Sequence, residues 1–143
     1  LEYYYYGYYD SPSNNLYESF DEVADLIHRS IKSNKTVFIH CYAGKSRSAT
    51  FVIVYLMKHC GFNLKSAYEH VNNLREIYPN LGFIDQMVQY ELEKTNKSTL
   101  DYDKVVIEYI HSVTGFLSKE EISNIYYENN KNIDVIVNKI FER

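Results

Sequence analysis

Nine residues, His40-Cys41-Tyr42-Ala43-Gly44-Lys45-Ser46-Arg47-Ser48, stand between a short apolar run, Thr36-Val37-Phe38-Ile39, and a long apolar segment from Ala49 to Met57. That succession predicts strand, tight loop and helix. A loop in this setting turns its backbone N–H groups inward at the positive end of a helix dipole, which makes it a ready anion site. Gly44 lets the chain turn tightly. Arg47 offers a planar fork of donors that meets phosphate oxygens two at a time. Cys41, at the mouth of the same loop, is expected to be a thiolate near neutral pH. A nucleophile, an anion cradle and a charge clamp lie within seven residues. Together they are equipment for displacing phosphate through a covalent phosphocysteine.

Composition bounds the rest. A chain of 143 residues with 45% apolar side chains can bury one modest core and a small appendage. The net charge of -4 gives no reason to expect nucleic acid or a membrane surface as partner, so affinity for anions must be local. Two cysteines, Cys41 and Cys60, are too few for a disulfide framework, and a reactive thiol needs a reducing compartment, which favours an intracellular protein of the cytoplasm, the nucleus or both. Cys60 closes an apolar helical run and reads as a small buried hydrophobe. His28, His59, His70 and His111 have no ligand-like spacing, so no metal and no cofactor are expected. There is neither a signal-peptide pattern nor an apolar run of about 18 residues or more. The first residue is Leu1 rather than Met, which suggests a piece of a longer chain.

Along the chain, residues 3-9 are dense in tyrosine and read as a strand, followed by an exposed turn, Asp10-Ser11-Pro12-Ser13-Asn14-Asn15. Leu16, Phe20, Val23, Ala24, Ile27 and Ile31 recur at helical spacing and predict an amphipathic helix to about Ser33-Asn34. The nearly continuous apolar run 36-40 suits a buried parallel strand, and 47-59 a helix. Leu64, Ala67, Tyr68, Val71 and Leu74 mark a further helix to about Ile77. Tyr78-Pro79-Asn80 breaks it, and another helix follows from Leu81 to Lys94. Residues 95-100 read as a linker, and 101-143 as three short helices. The fold class expected is α/β, a sheet flanked by helices, with a C-terminal three-helix appendage.

The run His-Cys-x-x-Gly-x-x-Arg-Ser resembles the signature of the protein tyrosine phosphatase superfamily. With Ala43, Gly44, Ser46, Arg47 and Ser48 it is similar to the dual-specificity branch. Asp10-Ser-Pro-Ser, Leu16, Phe20, Tyr55-Leu56-Met57 and Pro79-Asn80-x-Gly82-Phe83-x-x-Gln86 resemble that branch in type and spacing, so that the likeness covers roughly residues 3-94. The resemblance implies a phosphatase-type sheet in a catalytic domain over 1-94. It also implies hydrolysis of phosphotyrosine and of phosphoserine or phosphothreonine in phosphoprotein substrates. Cys41 would be the nucleophile. The loop residues Tyr42, Ala43, Gly44, Lys45, Ser46 and Arg47 would bind phosphate. Asp10 would serve as general acid and then base, Ser48 would hydrogen-bond the sulfur, and His40 would orient the loop and tune the thiolate.

Other readings stay open. Lys45 stands where an aliphatic residue is usual and resembles the loop of phosphoinositide phosphatases, but Tyr42 stands where those enzymes carry a second lysine. A non-catalytic adaptor that recognises phosphate or ubiquitin is the other alternative, since the tail over 101-143 resembles a ubiquitin-associated domain. The family usually has further strands ahead of the segment matching residues 3-10. The oligomeric state is not legible.

Overall fold

The computed structural model describes residues 1-142 and divides after Leu100 into two compact units. In the first, a 3-10 turn, Tyr17–Ser19, leads into α1, Phe20–Lys32. Asp21 and Glu22 lie in its first turn and Arg29 and Lys32 in its last, each complementing the helix dipole. Its buried stripe is Phe20, Val23, Ala24 and Ile27, whereas Ile31 falls outside it and is exposed. Helix α2, Arg47–His59, buries Ala49, Phe51, Ile53 and Val54. The rings of Phe20 and Phe51 meet edge to face at 5.9 Å, in the favoured geometry for an aromatic pair.

Helix α3, Leu64–Leu74, and α4, Leu81–Thr95, each start on an asparagine whose side chain accepts a backbone N–H of the first turn. Asn63 takes that of Ser66, and Asn80 that of Phe83. Helix α3 stops at Leu74 rather than near Ile77, because Arg75 is already extended. Leu74, expected to face inward, is exposed.

The expected phosphatase-type sheet is not there: among the described residues none is in a β-strand, and the architecture is helical with extended connections. Strand conformation persists only where a neighbour takes up alternate N–H and C=O groups, and no main-chain hydrogen bond joins residues 3-9 to 36-40. Within the first segment the one main-chain bond is local, from Tyr8 N–H to the Tyr6 carbonyl at 2.9 Å. Side chains hold it instead. The Tyr6 hydroxyl donates to Glu22 at 2.7 Å, that of Tyr8 lies 2.5 Å from Ser19 Oγ, and both rings lie against Phe51. The two-residue alternation survives without a ladder. Tyr6 and Tyr8 are half-buried between exposed neighbours, and Val37 and Ile39 likewise flank Phe38, which is 85% exposed, so 36-40 is not a buried strand.

Cys60 is also exposed rather than buried, since it sits one residue beyond the last turn of α2. Residues 97-99 are tied back to α4: the Thr99 N–H and hydroxyl both donate to Glu91.

The second unit holds α5, Tyr102–Thr114, α6, Lys119–Glu128, and α7, Ile133–Phe141. Asp101, Ser118 and Asn132 cap them, Ser118 in a reciprocal capping box with Glu121. Val106, Ile110, Ile122, Tyr126, Ile136 and Ile140 form the core of this unit. The Tyr126 hydroxyl finds Asp103 at 2.9 Å.

Candidate active site

Cys41 ends the exposed-and-buried alternation of 36-40 and is half-buried where the chain bends into the loop ahead of α2. Gly44 sits at φ +69°, a left-handed conformation that glycine adopts without penalty. This turn brings the Gly44 N–H to 3.2 Å from Cys41 Sγ, while the Ser48 hydroxyl lies 3.3 Å from the same sulfur. Burial pushes the thiol up. The Ser48 hydroxyl and the backbone N–H groups of Ser48, Gly44 and Ser46 outweigh it and bring the thiol down from 9.0 to about 7. Such a thiol ionises at a lower pH than an ordinary cysteine.

Arg47 is the first residue of α2. Its Nη1 donates to the Tyr8 carbonyl at 2.9 Å, and its Nε is buried with no hydrogen-bond partner among the protein groups. An unpaired buried guanidinium N–H is costly, and an anion in the loop is the kind of group that would satisfy it.

Asp10 is joined to this loop. Its Oδ1 accepts from the Ser46 hydroxyl at 2.7 Å and from Asn80 Nδ2 at 2.8 Å. Ser46 is itself buried and accepts the Asn80 N–H at 3.1 Å. The turn 10-15 that carries Asp10 is fastened at its far end by Gln86. That side chain donates to the Asn14 carbonyl at 2.8 Å and accepts the N–H groups of Leu16 and Tyr17. His40 is exposed. Its ring stacks on Phe38 at 5.3 Å, with Nδ1 3.4 Å from the Cys41 carbonyl. Tyr42 is exposed and Ala43 borders the same opening.

Residues 75-80 brace the loop from the other side, a role that the sequence reading missed. Arg75 Nη2 donates to the Ala43 carbonyl at 3.2 Å, and the Tyr78 N–H donates to the Lys45 carbonyl at 2.8 Å. Lys45 Nζ stands 5.6 Å from the centre of the Tyr78 ring. Pro79-Asn80 was read as a helix break and as part of the family resemblance, not as a brace, and a lone arginine at a helix end carries no signal of its own. Tyr8 contributes a main-chain carbonyl, which no side-chain pattern reveals. A cavity of about 430 Å³ opens beside Cys41, between the loop, Val52 of α2 and Val71 and Ile77 beyond it, with Arg75 at its edge. Among the described residues no cluster of three or more His, Cys, Asp or Glu side chains is arranged to hold a metal ion, and no helix is long and apolar enough to cross a membrane.

Comparison with known proteins bears on the family. The model of the dual specificity phosphatase catalytic domain matches residues 2-93. A protein named as a tyrosine phosphatase, 123R, of Invertebrate iridescent virus 6 is 46% identical over 90 residues, which are 61% of this chain and 63% of that protein. Dual specificity protein phosphatase 1 of Arabidopsis thaliana is 42% identical over 87 residues, 60% of this chain and 43% of its own length. The crystal structure of human DUSP28 superposes with a TM-score of 0.60 at 27% identity, covering 63% of this chain and 64% of that one. The chain therefore spans less than two thirds of the length of these relatives. The family match ends at residue 93 and lends no support to a ubiquitin-associated domain in the tail. From the matched residues 2-93, which hold the Cys41 loop, Asp10 and the brace at 75-80, the chain belongs to the dual-specificity phosphatase family.

Proposed function

We propose that the chain hydrolyses phosphomonoesters on tyrosine and on serine or threonine side chains of proteins through a phosphocysteine intermediate. The observation that carries this reading is the Cys41 sulfur, with the Gly44 N–H at 3.2 Å and the Ser48 hydroxyl at 3.3 Å, donors that lower its pKa. Cys41 thiolate attacks phosphorus, and the bond from phosphorus to the substrate oxygen breaks. Asp10 gives that oxygen its proton. A water molecule then attacks the phosphocysteine, Asp10 takes up its proton, inorganic phosphate leaves and the thiolate is regenerated. The N–H groups of Tyr42, Ala43, Gly44, Lys45 and Ser46 and the Arg47 guanidinium hold the three phosphoryl oxygens as charge shifts. Ser48 supports the sulfur as leaving group, and His40 orients the loop entrance.

We assign this work to residues 1-94, with 95-100 as the connection and 101-143 as a helical domain or extension. Lys45 supports a protein substrate over an inositide, because its ammonium already has the Tyr78 ring as a partner.

The test is hydrolysis of an aryl phosphate and of phosphotyrosyl and phosphothreonyl peptides by the full chain, with Cys41→Ser as control. Rapid acid quench should trap one phosphoryl group on the peptide containing Cys41. Turnover that survives Cys41→Ser, or none at all in the unchanged chain, sinks the proposal.

A further inference from the structure

Within the first unit, well apart in sequence from the Cys41 loop, a cavity of about 530 Å³ lies among the end of α2, the start of α3 and the last turns of α4. Small-molecule sites commonly have volumes of roughly 300–1,000 Å³. Its apolar wall is formed by Met57, Phe62 and Tyr90. On the Gly61 side nothing lies within 4 Å of where a Cβ would stand, so a ligand has room to approach the backbone there.

Lys58, Lys94 and Lys97 line it beside the carboxylate of Glu91, and Asp21, which accepts from the Tyr90 hydroxyl at 2.8 Å, stands next to Lys58 and Lys94. Glu91 is only 2% exposed and its oxygens are engaged. Oε1 takes the Thr99 N–H at 2.5 Å and the Thr99 hydroxyl at 3.0 Å, and Oε2 takes the Leu64 N–H at 2.6 Å. That carboxylate is committed to the floor and to the start of α3, where the helix dipole favours it. Lys58 is engaged by Asp21 and Asp25 at 3.0 and 2.9 Å. Lys94 is held less closely, 3.7 Å from Asp21 and 5.3 Å from the Tyr90 ring centre. Lys97 forms no ion pair among the described residues.

We propose that this cavity binds a small amphipathic carboxylate. Its ring or alkyl body lies against Met57, Phe62 and Tyr90, and its carboxylate is taken by Lys97 with help from Lys94. Lys58 and Lys94 have carboxylate partners and Glu91 is taken up by Thr99 and Leu64, so Lys97 is the lining charge without an ion-pair partner among the described residues, and a carboxylate is its complement. The inference is independent of turnover at Cys41.

The probe is 2-naphthoate, titrated into the full chain and followed by amide chemical shifts. Saturable shifts are expected at Gly61, Phe62, Lys97 and Thr99. They should be unchanged in Cys41→Ser and unchanged by inorganic phosphate. Lys97→Glu should weaken binding about tenfold, the size of one charge-assisted contact, and the neutral 2-naphthamide should bind weaker by a similar factor. Lys97 is exposed, so its replacement leaves the core intact. The proposal is overturned if shifts fail to saturate, if they are confined to residues 41-48 and displaced by phosphate, or if the amide and the carboxylate bind alike.

Discussion

The Ser46 hydroxyl donates to Asp10 Oδ1 at 2.7 Å while accepting the Asn80 N–H at 3.1 Å, so one buried oxygen ties the turn that carries Asp10 to the Cys41 loop and to the start of α4. Ser46→Ala removes this tie and leaves Asp10 with Asn80 Nδ2 alone. A positioned general acid contributes on the order of 10²–10⁴ in rate. Ser46→Ala should therefore lower kcat about tenfold on an alkyl phosphate, whose leaving oxygen needs the proton, and much less on p-nitrophenyl phosphate. Equal losses on both substrates would show that Ser46 does not act through Asp10.

The thiol of Cys41 sets a pH dependence whose sign is fixed. Burial raises its pKa, and the donors from Ser48, Gly44 and Ser46 lower it by more, to about 7. Thiolate therefore accumulates as pH rises through about 7, well below the ordinary thiol range. Alkylation by iodoacetamide should be half-maximal near that pH. Ser48→Ala removes the side-chain donor at 3.3 Å and should move the midpoint upward. A midpoint that stays put in Ser48→Ala would assign the shift to the backbone donors.

Gly44 combines two constraints. Its φ of +69° strains any residue with a Cβ, and a Cβ there would stand 2.9 Å from Arg75 Nη2. Gly44→Ala should reduce stability by about 1–3 kcal/mol and raise KM for any phosphoester, measured by denaturant unfolding and initial rates. Adding Arg75→Ala relieves the steric clash but not the φ strain, so recovery should be partial. Full recovery would mean that the backbone conformation carries no penalty.

Gly82, in the first turn of α4, admits no side chain at all. A Cβ would lie 2.0 Å from the Pro12 carbonyl oxygen and 2.5 Å from Pro12 Cα. These are backbone atoms that cannot swing aside. Gly82→Ala should cost about 3 kcal/mol or more by overpacking and displace the turn that carries Asp10. A melting temperature within a degree of the unchanged chain would contradict this packing.

What the sequence made legible was local. Cys41, Gly44 and Arg47 lie within one loop, so their spacing pointed to an anion cradle, and the Ser48 contact with the sulfur was implied by the family resemblance. The helices were legible because Phe20, Val23 and Ile27, or Ile122 and Tyr126, repeat at helical period. The sheet was misread because tyrosine-rich and β-branched runs state a preference for extended backbone, whereas a sheet requires a neighbour, and residues 3-9 and 36-40 do not pair. Arg75 escaped notice because its partner, the Ala43 carbonyl, lies far along the chain and has no side-chain identity. Cys60 was placed inside because the apolar run was carried past the end of α2 at His59, and Leu74, the last residue of α3, because its helical spacing matched the inward positions although it is exposed.

The acceptor for Arg47 Nη1 is the carbonyl of Tyr8. No substitution at position 8 can delete a main-chain oxygen, so this contact constrains the course of the run past α2 and not the identity of residue 8. Length is the quantity held fixed there. Inserting or removing one residue between Tyr8 and Asp10 would shift the carbonyl and the carboxylate out of step with Arg47 and Ser46 together, and this short span acts as a ruler between two contacts that the loop needs at once.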